Sequence, residues 1–142
     1  MTRPEVVRKL LAALTDHIAR IATLTRPTAA ELASDRDALD LVAFHLMLAV
    51  QAACDVAAHI VADEGFTPTS SLADGFARLA AHGVLTEPTA RALARAVGLR
   101  NVIAHAYHRV DVTAVHAAST TGRADLEAFA REAAAWLATH GA

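Results

Sequence analysis

LDLVAFHLMLAVQAACDVAAHIV, running from Leu39 to Val61, decides how the rest of the chain is read. Its longest uncharged stretch, Leu41 to Cys54, is bounded by Asp40 and Asp55 and interrupted only by His45 and Gln51. The pattern predicts a helix over 36–63, which Ser34 or Asp35 can cap and whose first turn is acidic. The uncharged stretch is too short to cross a bilayer and suits a buried helix. Such a helix is apolar on nearly every face, so it is buried on more than one side. In a chain of 142 residues, part of it is then expected to face a partner chain.

Outward from this segment, helical signals continue. Val7, Leu10, Leu11, Leu14, Ile18 and Ile21 recur at helical spacing behind Pro4, predicting a helix over 4–24 that Arg26-Pro27 ends. Residues 27–34 read as a loop or a short turn of helix. A helix over 71–82 opens with capping-box spacing at Ser71 and Asp74, and Gly83 follows as its left-handed stop. The next starts after Thr86, which can cap it, has Pro88 in its first turn, and runs to about 106. Asp111-Val112-Thr113 opens a short helical stretch that Thr120, Thr121 and Gly122 break. A last helix covers about 123–139. The sum is a single all-α domain over 1–142, an antiparallel bundle of about five helices.

Composition excludes several classes. Apolar residues make up 54% and charged residues 20%, and mean hydropathy is +0.32, which rules out a disordered chain. Aromatics are only 4%, too few for a β-sandwich. A formal net charge of −2 excludes a globally basic nucleic-acid binder but not a local basic patch. One cysteine, Cys54, allows no intrachain disulfide and fits a reducing cytoplasm. No export signal or membrane span is read, so a cytoplasmic location is expected. No Gly-rich phosphate loop is present, and apart from Tyr107 there is no aromatic platform for stacking bases.

The chemistry concentrates after Glu87. No acidic residue occurs between Glu87 and Asp111, while Arg91, Arg95, Arg100, Arg109, His105 and His108 do. A solvated helix face with acidic partners on other helices would also explain this. The order Arg100-Asn101-Val102-Ile103-Ala104-His105-Ala106-Tyr107 says more. At 100° per residue, Arg100 shares a face with Leu93, Val97, Ala104 and Tyr107. A guanidinium on an apolar stripe needs a partner, an anionic ligand or a groove. Gln51 or Asp55 can be that partner. Asn101, His105 and His108 form the adjoining stripe; Arg91 and Arg95 point roughly the other way. An imidazole able to move a proton, beside an arginine able to grip a phosphate, suits phosphodiester chemistry. RNA brings its own nucleophile, the 2′-hydroxyl, so no metal or cofactor is needed. Alternatively, His105 simply packs a helix end.

At these residues the sequence resembles the HepT-like ribonuclease toxins of the HEPN superfamily. Arg100-x4-His105-x-Tyr107 matches their Arg-x4-6-His motif with its following tyrosine. The likeness extends over Asp37 to Asp111. It takes in the long apolar helix, the Leu-Ala-x-x-Gly-Val-Leu run from Leu79 to Leu85, and Val97-Gly98-Leu99-Arg100-Asn101 before the motif. Ala106 stands where many relatives carry a charged residue, often glutamate.

The resemblance implies a HEPN bundle that forms a homodimer, with Arg100 and His105 of both copies meeting in a cleft. It also implies metal-independent cleavage of RNA, a tRNA or an mRNA, by the toxin of a type VII toxin–antitoxin system. Arg100 and His105 are then the catalytic pair, and Asn101 orients the phosphate or the histidine. An MntA-like nucleotidyltransferase antitoxin is the implied partner, adding AMP to Tyr107. The other readings of the same residues are a non-catalytic helical dimer that binds a nucleotidyltransferase or nucleic acid, and a bundle holding a small ligand beside Arg100. Asp55 and His59, four apart, have metal-ligand spacing, but no further carboxylates accompany them, so a structural role is expected.

Overall fold

The structure is a computed structural model that describes residues 3–140. Seven α-helices account for most of it: α1 (Pro4–Leu24), α2 (Ala29–Ser34), α3 (Arg36–Asp63), α4 (Leu72–Ala81), α5 (Glu87–Ala106), α6 (Val112–Ser119) and α7 (Thr121–His140). A single 3-10 turn, Tyr107–Arg109, follows α5, and no strand occurs among the described residues.

The central element is α3. It packs against every other helix, most extensively α1. Val42, Ala43, Leu46, Ala49, Val50, Ala53, Cys54, Val56, Ala57 and Ile60 are buried along it. By length and composition α3 is also the one helix, among the described residues, apolar enough to cross a membrane; its role as the axis of the bundle accounts for that composition. Small alanines let neighbouring helices approach closely, and Phe76 of α4 meets Phe129 of α7 edge to face at 5.6 Å between ring centroids. Not all of α3 is covered, however. Leu41 and Phe44 are 42% and 48% exposed, and Leu48 is half-buried on the same stripe.

The helix ends follow the sequence signals closely. Asp35 accepts from Ala38 N–H at 3.1 Å to cap α3, and its carboxylate also receives Arg26 at 2.6 Å. The backbone donor and the guanidinium together hold the Asp35 carboxyl below the usual carboxylate range. Ser71 accepts from Asp74 N–H at 3.1 Å. Gly65 and Gly83 take positive φ, 69° and 76°, one residue past the caps of α3 and α4. There the next amide reaches back to Val61 and Leu79, closing both helices in the left-handed motif that favours glycine.

Three expectations change. First, the helix count is seven rather than about five, because two short segments close into full turns. The segment 29–34 is a helix capped by the Thr28 hydroxyl, which accepts from Glu31 N–H and donates to the Glu31 carboxylate, and anchored by the fully buried Leu32. The segment 112–119 is a helix capped by Asp111. Second, Thr86 does not cap α5 with its side chain. The carboxylate of Glu132 on α7 does the work: it accepts from Thr86 N–H at 2.8 Å and from the buried Thr89 hydroxyl at 2.6 Å. An anion at a helix N-terminus also opposes the helix dipole favourably. Third, α5 ends at Ala106 as expected, but the φ of −150° and ψ of 50° there leave the helix, so the helical wheel no longer applies to Tyr107. Tyr107 therefore lies in the 3-10 turn, and its hydroxyl reaches Asp40 on α3, the helix that Arg100 also contacts through Gln51.

Candidate functional site

The final turns of α5 carry Arg100, Asn101 and His105, and the 3-10 turn carries Tyr107. Arg100 is half-buried, and both of its terminal nitrogens are held. One donates to Asn101 Oδ1 at 2.8 Å and the other makes a short bond to Gln51 Oε1 on α3. The Gln51 amide in turn donates to Asp55 Oδ1 at 3.0 Å. The partner that an arginine on an apolar stripe requires is thus Gln51, itself oriented by Asp55. Asp55 serves this line, and no group of three or more possible metal ligands occurs among the described residues. Arg100 Nε is buried with no hydrogen-bond partner.

Asn101 contacts the arginine, and no hydrogen bond joins it to His105. His105 itself is exposed and makes no hydrogen bond or ion pair among the described residues. Within one chain, five residues of helix separate Arg100 from His105, about 7.5 Å of rise and 140° of rotation. The two share one helix end, point apart and are not in contact.

Beside Arg100 lies a groove of about 500 Å³ between α3, α5, α6 and α7, lined by Leu46, Val50, Leu93, Ile103 and Leu126 among others. Arg95 lines it too. The helical wheel places Arg95 well away from Arg100, but a groove wide enough to border α6 and α7 takes in both. Cys54 is buried near this region, and burial pushes its thiol up to about 11 despite the opposing Arg100 charge. It is a packed apolar side chain, as its sequence surroundings suggest.

Tyr107 is half-buried, and its hydroxyl donates a short hydrogen bond to Asp40 Oδ1 on α3. Asp40 also receives Arg36 Nε at 3.0 Å. Burial, then the hydrogen bond to Asp40 and its charge, push the Tyr107 phenol up to about 12, with Arg36 offsetting part of the rise. Sequence reasoning missed Asp40 and Arg36. The available signal was Asp40 itself, the carboxylate that bounds the apolar run.

Known proteins share the family and the helical fold. The family described as Ribonuclease HepT-like matches residues 14–133. No curated protein matches the chain. Among solved structures, a toxin–antitoxin complex with AMP-PNP superposes with a TM-score of 0.85 at 24% identity, covering 92% of this chain and 98% of the other. A tri-AMPylated HEPN toxin from Shewanella oneidensis in complex with its MNT antitoxin gives 0.83 at 25% identity, covering 92% and 97%. YutE from Bacillus subtilis, a cytosolic protein of unknown function, gives 0.85 at 14% identity, covering 97% and 92%. With a HEPN-toxin fold and a family match over 14–133, the chain belongs to the HepT-like ribonuclease family.

Proposed function

We propose that the chain is the toxin of a HepT/MntA-like pair, a metal-independent endoribonuclease of the cytoplasm. The observation that carries this reading is Arg100, held by Gln51 and Asn101 in the lining of a groove, with His105 exposed on the same helix end. A guanidinium fixed in this way can stabilise a pentacoordinate phosphorus without rearranging at the moment of reaction. The 2′-oxygen of the RNA attacks the adjacent phosphorus as the bond to the 5′-oxygen breaks; His105 of the two copies takes the 2′-hydroxyl proton and supplies one to the leaving 5′-oxygen, giving a 2′,3′-cyclic phosphate and a 5′-hydroxyl. Asn101 acts by orienting Arg100.

In this reading the functional unit is a homodimer, because Arg100 and His105 of one chain point apart. The uncovered α3 stripe supports a second copy there: Leu41, Phe44 and Leu48 are apolar, spaced by three and four, and continue into Gln51. The partner is a nucleotidyltransferase of the MntA kind, which is the antitoxin in the neighbouring complexes. Tyr107 is its target, and a phosphate-bearing adduct beside the cleft repels RNA.

The test is cleavage of RNA by the purified protein in EDTA. Arg100→Ala and His105→Ala are each expected to lose about 10²–10⁴-fold. Variants as active as the wild-type chain would return the protein to the non-catalytic helical dimer.

A further inference from the structure

Three residues that RNA cleavage does not use form a line at the foot of α5. The exposed Arg36 guanidinium holds the Asp40 carboxylate through Nε at 3.0 Å and 3.2 Å, and that carboxylate accepts the Tyr107 hydroxyl. Both acidic and basic members come from the first turns of α3, while the phenol comes from the 3-10 turn. His108 and Arg109 of that turn are exposed and make no hydrogen bond to the phenol.

A phenol held in this way is a poor nucleophile by itself. With its ionisation pushed up to about 12, only about one molecule in 10⁵ carries a phenolate at neutral pH. Attack at an electrophilic phosphorus then requires a base that removes the proton as the new bond forms. A carboxylate already accepts that proton's hydrogen bond, and the exposed Arg36 lies against it.

We propose that Asp40 is the proton acceptor in the nucleotidylation of Tyr107. The proposal rests on the reading of Tyr107 as the modified residue. The phenolic oxygen attacks the α-phosphorus of a nucleoside triphosphate held by the partner nucleotidyltransferase. The bond from oxygen to the α-phosphorus forms as the bond to the bridging oxygen breaks. Pyrophosphate leaves, and the phenolic proton passes to Asp40 and then to water. Nothing is oxidised or reduced. Afterwards the hydroxyl hydrogen is gone and a phosphodiester anion faces the carboxylate, so the bond to Asp40 cannot re-form and the ring is driven from α3. The toxin thus supplies part of the chemistry of its own inactivation.

The experiment uses the full chain with an MntA-type nucleotidyltransferase, ATP and magnesium, reading AMP uptake by intact mass and its position by peptide mapping. Asp40→Asn keeps an acceptor oxygen but cannot take the proton; Asp40→Glu keeps a carboxylate; thermal unfolding verifies that each is folded. Asp40→Asn is expected to slow transfer by about 10²–10⁴-fold at neutral pH. The ratio of wild-type to Asp40→Asn rates is expected to fall about tenfold per pH unit as the phenol ionises unaided. A fluorinated tyrosine at position 107, with a more acidic hydroxyl, is expected to rescue Asp40→Asn, and Asp40→Glu to retain transfer.

If wild type takes up no AMP, or Tyr107→Phe takes up as much, the modification reading fails and this inference with it. If wild type is modified at Tyr107 and Asp40→Asn keeps pace, the inference alone is overturned. A loss that is the same at every pH, with no rescue by the acidic phenol, makes Asp40 a docking contact and also overturns it.

Discussion

The two halves of α5 are built for different purposes. From Glu87 to Val97 the helix is anchored: Thr89, Ala90, Ala92, Leu93 and Val97 are buried, and Glu132 closes its first turn from α7. From Gly98 to Ala106 only Ile103 is buried, while Asn101, Val102, Ala104 and His105 are exposed. Stability is invested at one end, so the other can carry polar groups that a core would reject. The one strong tie in the second half, Arg100 to Gln51, positions a charge and buries little apolar surface.

Removing the anchor is expected to have the largest effect on the fold. Glu132→Ala leaves the buried Thr89 hydroxyl and the Thr86 amide without their acceptor, a cost of about 2–3 kcal/mol in chemical unfolding. If stability barely moves, the anchored half is held by apolar packing alone. Gln51→Ala is expected to do the reverse, with little change in unfolding but a loss of RNA cleavage on the order of tenfold. That corresponds to one charge-assisted hydrogen bond on the arginine. A large loss of stability without loss of rate would show that Gln51 belongs to the scaffold.

A smaller effect is expected at Gly98. An added Cβ there meets open space within the chain, and Gly98 does not adopt positive φ. Gly98→Ala should therefore raise stability by about 0.5–1 kcal/mol. If size measurements show weakened self-association at the same time, the presenting half forms part of the surface between copies. The smallest effect is expected from pH on the scaffold. His45 on α3 lies 3.0 Å from His17 on α1, nitrogen to nitrogen. Burial first, then His17 and Arg20, lower its pKa from 6.5. The unfolded chain therefore takes up the proton before the folded one does. This contribution to stability is complete above 6.5 and declines as pH falls below it. Urea titrations of wild type and His45→Gln across that range should differ in slope, with cleavage by the folded protein tracking neither.

Legibility in the sequence divides along the same line. Helix ends are encoded by neighbours in sequence: Asp35 before α3, Ser71 with Asp74, and Gly83 as a stop all appear in place. The arginine's need for a partner was legible from its position on an apolar stripe, and Gln51 fills it. Contacts between distant segments were not legible. Nothing local joins Glu132 to Thr86 or Asp40 to Tyr107, 46 and 67 residues apart. Tyr107's direction also depended on a single backbone change at Ala106, which the helical wheel cannot foresee.

The outward stripe of α3 has a consequence for dosage. Leu41 and Phe44 sit on the same ridge as Gln51, the residue that aims Arg100. On the two-copy reading, pairing and the alignment of the arginine draw on one surface. Newly made chains at low abundance would then be idle, and output would climb with the square of their number. A neutralising partner would need only to keep the free pool under that threshold, not to reach every molecule.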